Sequence, residues 1–475
     1  MVRRSVAPRL VWVSCLALLV AVFALPAEAR YGGGSGTADN PYLISTADHL
    51  DSLIARPDDW GGHFRLTADI DLKAWDPTEA HIIGTVDDGP FTGVFDGNHK
   101  TIANFRQLSD FSGYLGLFGL VEGLDARIEN LTLADPNVAS EAGRYIGALV
   151  GSLREGTVSN CHVKAGGVLG MSFVGGLVGR NDGGTIAGCT ADVVVQGMSR
   201  VGGLIGQSYF GRVERCGARG RVQGPESSYR IGGLIGESQN VKMVRDCRAC
   251  CSVRGDLCVG GLLGENLSCE VERCCAAGVV RGGTYVGGLM GLNSGGTVSD
   301  CYSAADVKAT IYVGGLAGCN GPNCHCIVYI PGTILRSYAC GPVYGVNSGG
   351  LVGTNDKSQT QYSFWDIEAT GCTASAGGDG KSTAEMSRLS MYLAAGWDFL
   401  GEETNGTQDI WNLPAESGYP RLAWELAEGD LNADGRVDLR DFGRLAAQWR
   451  QVGLAGAVGF DDLASLAGLW LAGCR

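Results

Sequence analysis

Between residues 116 and 364 the apolar positions recur as a phrase, not as a helical stripe. Glycine, two aliphatic residues and a further glycine appear in Gly147-Ala-Leu-Val-Gly, Gly175-Gly-Leu-Val-Gly, Gly202-Gly-Leu-Ile-Gly and Gly232-Gly-Leu-Ile-Gly. The phrase returns at Gly260, Gly287, Gly314 and Gly349, after a looser first copy, Gly116-Leu-Phe-Gly. Most copies start 27 or 28 residues apart, with 30, 31 and 35 where loops are inserted. Fourteen or fifteen residues after most copies stands a cysteine: Cys161, Cys189, Cys216, Cys247, Cys274 and Cys301. Pairs such as Thr157-Val158, Thr185-Ile186 and Thr297-Val298 precede it. Such β-branched residues in short runs predict strands. One unit cannot bury its own apolar face, but stacked units share a continuous core. The expectation is an all-β chain, a parallel β-solenoid with one roughly three-sided coil per 27 residues. About nine coils at ~4.8 Å each make a rod of roughly 45 Å. The glycines are expected at sharp corners where φ turns positive. Glycine at this density disfavours a helical repeat, costing nearly ~1 kcal/mol per interior position.

An open solenoid end invites aggregation, so both ends should be covered. Upstream, Ser45-Thr46 begins a helix-like stretch through Ile54, and His63 to Leu72 reads as a strand. Downstream, Gly396-Trp-Asp-Phe, Asp409-Ile-Trp and Tyr419-Pro-Arg-Leu read as the second cover. The expected organisation is a signal peptide over 1–29, a β-rich N-terminal cap over 30–115 and the solenoid over 116–364. A C-terminal cap segment over 365–427 and a small module over 428–475 complete it.

Composition sharpens this reading. The chain has 76 glycines in 475 residues but only 13 prolines, without the every-third-residue period of collagen. Arg3, Arg4 and Arg9, the apolar run Leu10 to Leu25 and Ala27-Glu-Ala predict export by a cleaved signal. No other stretch is long enough to span a membrane. The net charge of −13 is uneven. Residues 30–144 carry 18 acids and 8 bases, residues 145–353 carry 13 and 17, and residues 354–475 carry 18 and 9. The ends are acidic, the middle slightly basic, and no dense Lys/Arg stripe with interleaved aromatics supports nucleic-acid binding.

The sharpest chemistry lies in Asp430-Leu-Asn-Ala-Asp-Gly-Arg-Val-Asp-Leu-Arg-Asp441. Calcium takes six to eight hard oxygens, and this twelve-residue loop offers them at the right positions with glycine at the sixth. Asp430, Asn432, Asp434 and Asp441 would ligate through side chains, Arg436 through its carbonyl, and Asp438 directly or through water. Phe442, Leu445 and Trp449 lie beyond it at helical spacing, and the unit recurs 21 residues later. In that second copy the first three ligand positions fall on Gln451, Gly453 and Ala455, so one calcium is expected, not two.

The cysteines in repeat register are expected to form an inward column of packed thiols, with Ser337 taking the next place. Disulfides between coils are the alternative. Cys319, Cys324, His325 and Cys326 cluster in an inserted loop but fit no structural zinc spacing, so a loop disulfide or a coincidence is expected. No His-Glu-x-x-His or Gly-x-Ser-x-Gly signature stands out. Asp182, Asp246 and Asp300 are read as occupying different repeat positions; Asp69, Asp71, Asp87 and Asp88 as solvated edge and turn residues. Arg180, Arg200, Arg212, Arg221 and Arg230 are read as a solvated outer face, with an anionic glycan as the alternative.

The repeated phrase resembles the GLUG repeat of exported and cell-surface bacterial proteins, a likeness that covers roughly residues 36–424. The duplicated loop-helix unit resembles a dockerin, a small α-helical, EF-hand-like module that docks exported proteins onto cohesins, typically in polysaccharide-degrading assemblies. Together they imply a non-catalytic secreted or cell-surface adhesion or scaffold protein attached in a calcium-dependent way. The implied partners are a cohesin-like protein or envelope component and a polysaccharide. The rival reading is a carbohydrate-active β-helix enzyme, a polysaccharide lyase or glycoside hydrolase. It is favoured if three carboxylates, or carboxylates with Lys/Arg, converge in one cleft along the rod.

Overall fold

The structure is a computed structural model that describes residues 30–109, 113–321, 330–414 and 418–426. The expected signal peptide and the expected calcium-binding module lie outside these residues. One coil runs through Ser172–Gly175, Val178–Asp182, Thr185–Ala187 and Thr190–Gln196, and the next begins at Ser199–Gly202. Like strands stack in parallel: Val178 pairs with Ile205, which pairs with Ile235. The first wall is an eight-stranded sheet, and the second has nine strands from Phe118–Glu122 to Val352–Asn355. The third is a larger sheet bent at the column of cysteines. This is the expected parallel β-solenoid.

Alternation along each strand sets its inward face. Columns of Val174, Val201, Ile231, Val259, Val286 and Val313 and of Leu177, Leu204, Leu234, Leu262, Leu289 and Leu316 are all fully buried. An amide column lies beside them. Asn266 Nδ2 donates to Asn293 Oδ1 at 2.9 Å, and Asn293 Nδ2 to Asn320 Oδ1 at 2.9 Å. Each also bonds a carbonyl three residues on, Cys269 O and Gly296 O, closing a corner. The amide nitrogens of the column therefore have partners along the axis and within the coil, while Asn266 Oδ1 is buried without one.

The glycines do something other than expected. Those of the repeated phrase are absent from the positive-φ positions. They admit close backbone approach: a Cβ on Gly203 would lie 2.1 Å from Gly233 O, and one on Gly206 2.5 Å from Val174 N. Left-handed corners are shared: other glycines, Gly183 (φ 83), Gly188 (φ 64) and Gly295 (φ 70) among them, take some as expected, and ordinary residues such as Phe173 (φ 56), Arg200 (φ 53), Arg230 (φ 62) and Ser268 (φ 58) take the rest.

At the N-terminal end, helix Ala47–Ile54 is capped by Thr46, whose hydroxyl accepts from His49 N, and buries Leu50 and Leu53. The Trp60 indole ties it down through Leu53 O at 2.9 Å. Strand His63–Leu66 joins the third wall in parallel and is separate from Ile70–Asp71. After the last coil the chain turns back as a strap along the outside of the third wall. Trp397 Nε1 bonds Tyr362 O at 2.9 Å, Trp411 Nε1 bonds Asp300 Oδ1 at 3.2 Å, and Trp424 Nε1 bonds Arg273 O at 2.9 Å. The strap covers Tyr338 and Phe364 with Met386, Tyr392, Trp397 and Trp411 as a second apolar cluster.

Candidate functional site

The thiol column is built by the bend in the third wall. Cys161, Cys189, Cys247, Cys274 and Cys301 are fully buried and Cys216 nearly so, all as free thiols. Each sulfur bonds the carbonyl two residues back, as Cys247 does to Arg245 O at 3.0 Å. Ser337 and Ser363 continue the column with the same bond, to Leu335 O at 2.8 Å and Gln361 O at 2.9 Å. Burial pushes the Cys247 and Cys274 thiols well above their ordinary range, which keeps them protonated and inert. The column packs and bonds.

A second feature runs along the outside, where the first two walls meet. One column holds Tyr145, Phe173, Arg200 and Arg230; the facing column holds Arg180, Gln207, Glu237 and Glu265. Tyr114, Tyr145 and Phe173 stack with centroids 4.9 and 4.7 Å apart, and the Arg200 guanidinium lies 4.9 Å from the Phe173 centroid. Arg200 Nε reaches Glu237 Oε2 at 2.9 Å, and Arg230 bridges Glu237 at 3.0 Å and Glu265. Gln207 Nε2 donates to Glu237 Oε1 at 2.6 Å. Glu237 is 2% exposed and Glu265 0%. Burial raises the Glu265 pKa, against the opposing pull of Arg230. These carboxylates and arginines do converge, and they bond chiefly to one another, with Glu265 Oε1 buried without a partner.

Reading the sequence alone missed Glu237 and Glu265. The signal was present in Gly-Glu-Ser (236–238) and Gly-Glu-Asn (264–266), whose glutamates face Arg200 and Arg230, each of which precedes a glycine phrase. The five arginines read as one solvated face divide here. Arg200 and Arg230 are in the buried network, Arg180 pairs with Asp182 at 3.0 Å and Arg212 with Glu214 at 3.4 Å. Arg221 is exposed on the third wall.

The acids are also rearranged. Asp246 and Asp300, read as occupying different repeat positions, share one left-handed corner, each one residue before a column cysteine (φ 53 at both). Arg273 clasps Asp246 at 2.7 and 2.9 Å, and Arg336 clasps Asp300 at 2.8 and 2.6 Å. Asp69 accepts from Thr101 N at 2.7 Å, Asp71 from Asn104 Nδ2 at 2.7 Å and Asp88 from Thr85 Oγ1 at 2.9 Å. These are edge and turn roles.

A groove of about 1120 Å³ lies at the corner from the third wall to the first. Gln196, Gln223 and Arg254 form one side in register, and Met171 and Met198 lie in its lining. Glu141, Glu226 and Asp256 share it. Among the described residues no three His, Cys, Asp or Glu side chains gather closely enough to hold a metal ion. Cys319 is buried in the outer stripe beside Cys258 and Leu292, while Cys324, His325 and Cys326 lie outside the described residues. So do Asp430, Asn432, Asp434, Arg436, Asp438 and Asp441.

Comparison with known proteins agrees with the repeat. The GLUG motif matches residues 174–196 and 282–308, so the chain carries GLUG repeats. A protein described as a Gly-rich membrane protein of Evansella cellulosilytica is 34% identical over 145 residues, 29% of this chain and 16% of that protein. Halomucin of Haloquadratum walsbyi is 33% identical over 168 residues, 34% of this chain and 2% of that protein. The chain thus spans a small part of the length of either relative. Among solved structures, a protein described as an immunoglobulin A1 protease of Bacteroides ovatus aligns with TM-score 0.34 and 18% identity, covering 83% of this chain and 96% of that one. An IgA1 protease aligns at 0.33 and 14%, covering 82% of this chain and 26% of that one.

Proposed function

We propose that this chain is a non-catalytic, secreted or cell-surface rod for adhesion or scaffolding, attached through a dockerin-like calcium loop at 430–441. The observation that carries the rod reading is the outer stripe: its acids and arginines are spent on each other, stiffening successive coils. The relatives named for a membrane protein and for halomucin fit a surface setting. The calcium reading rests on ligand spacing in the sequence, with Asp430, Asn432, Asp434, Arg436, Asp438 and Asp441 as ligands. Its partner would be a cohesin-like protein or an envelope component, near a polysaccharide. Calorimetric titration of the full chain should give about one calcium per molecule, lost in Asp430→Ala. Two comparable sites would contradict the one-calcium reading. A pull-down from envelope and secreted fractions should recover a partner with calcium and lose it with chelator.

One observation favours the enzyme reading: Glu141, Glu226 and Asp256 line the groove at the corner from the third wall to the first, with Arg254. A glycosidase needs two carboxylates flanking the bond, one on each side. Turnover of any acidic or neutral polysaccharide, abolished by Glu226→Gln, would establish it; a panel left intact would exclude it for the polymers tried.

A further inference from the structure

Along the rod, arginines close on acids of a neighbouring coil, as Arg200 does on Glu237, Arg245 on Glu272 and Arg336 on Asp300. One surface departs from that rule. It is the outward face of the last strand of successive coils, Thr190–Gln196, Gly217–Gln223, Arg248–Arg254, Cys275–Gly282 and Asp306–Ala309. Alternate residues of such strands share a face, and the register aligns them in columns. Gln196 pairs with Gln223, Gln223 with Arg254, Arg254 with Arg281 and Arg281 with Lys308. The next column sets Arg221 between Val194 and Ser252, and a third sets Arg219 beside Asp192. Arg281 is taken by Asp306 at 2.7 Å. Arg219, Arg221, Arg254 and Lys308 are exposed, and among the described residues none of the four is in an ion pair. The described strap packs on Tyr302, Tyr338 and Phe364 and leaves these side chains open. Glu226 and Asp256, in the groove at the adjoining corner, bound the cations on that side.

The result is a flat grid of unspent donors, with rows about 4.8 Å apart and alternate residues about 7 Å apart along each strand. We propose that this face binds an anionic polysaccharide. The acid groups of the polymer bond Arg221, Arg254 and Lys308, and its hydroxyls bond the amides of Gln196 and Gln223. Charge-assisted bonds from guanidinium to carboxylate or sulfate supply the attraction. A side-chain amide both donates and accepts, which matches a hydroxyl. No aromatic ring stands in these three columns from Asp192 to Lys308. A base would have nothing to stack on, which favours a sugar over a nucleic acid. The net charge of −13 opposes a polyanion at long range, so the attraction is local to this face. The choice of a polysaccharide rests on the surface-rod reading; the unspent cations do not.

Binding of the full chain in chelator tests this with polygalacturonate, dextran sulfate and plain dextran as probes. A single-stranded DNA oligomer and phosphatidylglycerol vesicles test the other polyanions. The chain should bind polygalacturonate, dextran sulfate or both, and should not bind plain dextran; which of the two binds tells carboxylate from sulfate. Arg221→Gln/Arg254→Gln should weaken that binding at least about tenfold. Arg212→Gln/Arg215→Gln removes the same charge from arginines that already hold Glu214, and should weaken it less than about twofold. Asp192→Asn, which removes an exposed acid from the grid, should tighten it. Unchanged thermal melting of each variant shows the rod intact. Binding to neither charged glycan overturns the proposal, as does equal weakening by the two double variants. DNA or vesicles bound as tightly as either glycan overturn it in favour of a nucleic acid or a membrane. Because chelator silences the calcium loop, a failed calcium-dependent pull-down leaves glycan binding standing, and failed glycan binding leaves that pull-down standing.

Discussion

At the scale of single residues, this fold puts small residues where backbones meet and ordinary ones where the backbone is strained. Gly203→Ala should cost about 1–3 kcal/mol or more, since its new Cβ would meet Gly233 O at 2.1 Å. Ser268→Gly should have the opposite sign, stabilising by up to about 1 kcal/mol, because Ser268 is exposed and left-handed at φ 58. Thermal unfolding of both variants beside the parent checks this pair of signs. Glu265 gives a pH signature. Its folded pKa is raised by burial above its ordinary 4.5, so the folded state holds the proton more tightly than the unfolded one. Its contribution is therefore complete below about pH 4.5 and is lost as pH rises through the higher folded value. Glu265→Gln should flatten that segment of the stability–pH curve; an unchanged slope would count against the buried carboxylate as its source. The repeat and its thiol column were legible in the sequence because both keep to its period. The buried Arg–Glu network was not, since its partners sit 35 to 37 residues apart and meet only when coils stack.

Elements act here as columns and as a strap. The thiol column should be silent to alkylation in the native protein, whereas Cys250, partly exposed and bonded by Arg248 Nε at 3.1 Å, should react. Mass mapping after brief alkylation should find Cys250 modified and Cys189, Cys247, Cys274 and Cys301 unmodified until the chain is unfolded. The strap is held by aromatic burial. Trp411 is fully buried, so Trp411→Ala should cost about 3–5 kcal/mol, all of it from strap docking. Limited proteolysis should then cut between 400 and 426 while the coils keep their circular-dichroism signal. That the strap lies along a side wall was not legible in advance. The aromatic pattern marks a cover, but only the outward ring faces of Tyr302 and Tyr338, stacked 5.1 Å apart, decide which surface it covers.

The whole molecule is quasi-one-dimensional: each coil leans on its two neighbours and stability is close to a sum of such contacts. Removing one complete period, Gly175–Val201, joins Val174 to Gly202 and keeps every column in phase. That deletion should fold and shorten the rod by ~4.8 Å, whereas removing half as many residues should abolish cooperative unfolding. Small-angle scattering and thermal melts distinguish them. Such uniformity carries a hazard, because near-identical coils can pair one place out of step during folding. The corner that alternates Asp246, Arg273, Asp300 and Arg336 works as a parity check against it. In step, each acid finds an arginine on the neighbouring coil; slipped by one, Asp246 would face Asp300 and Arg273 would face Arg336. A slipped pairing would lose both clasps and set like charges together, so the coils that look interchangeable in the sequence are numbered by their charge.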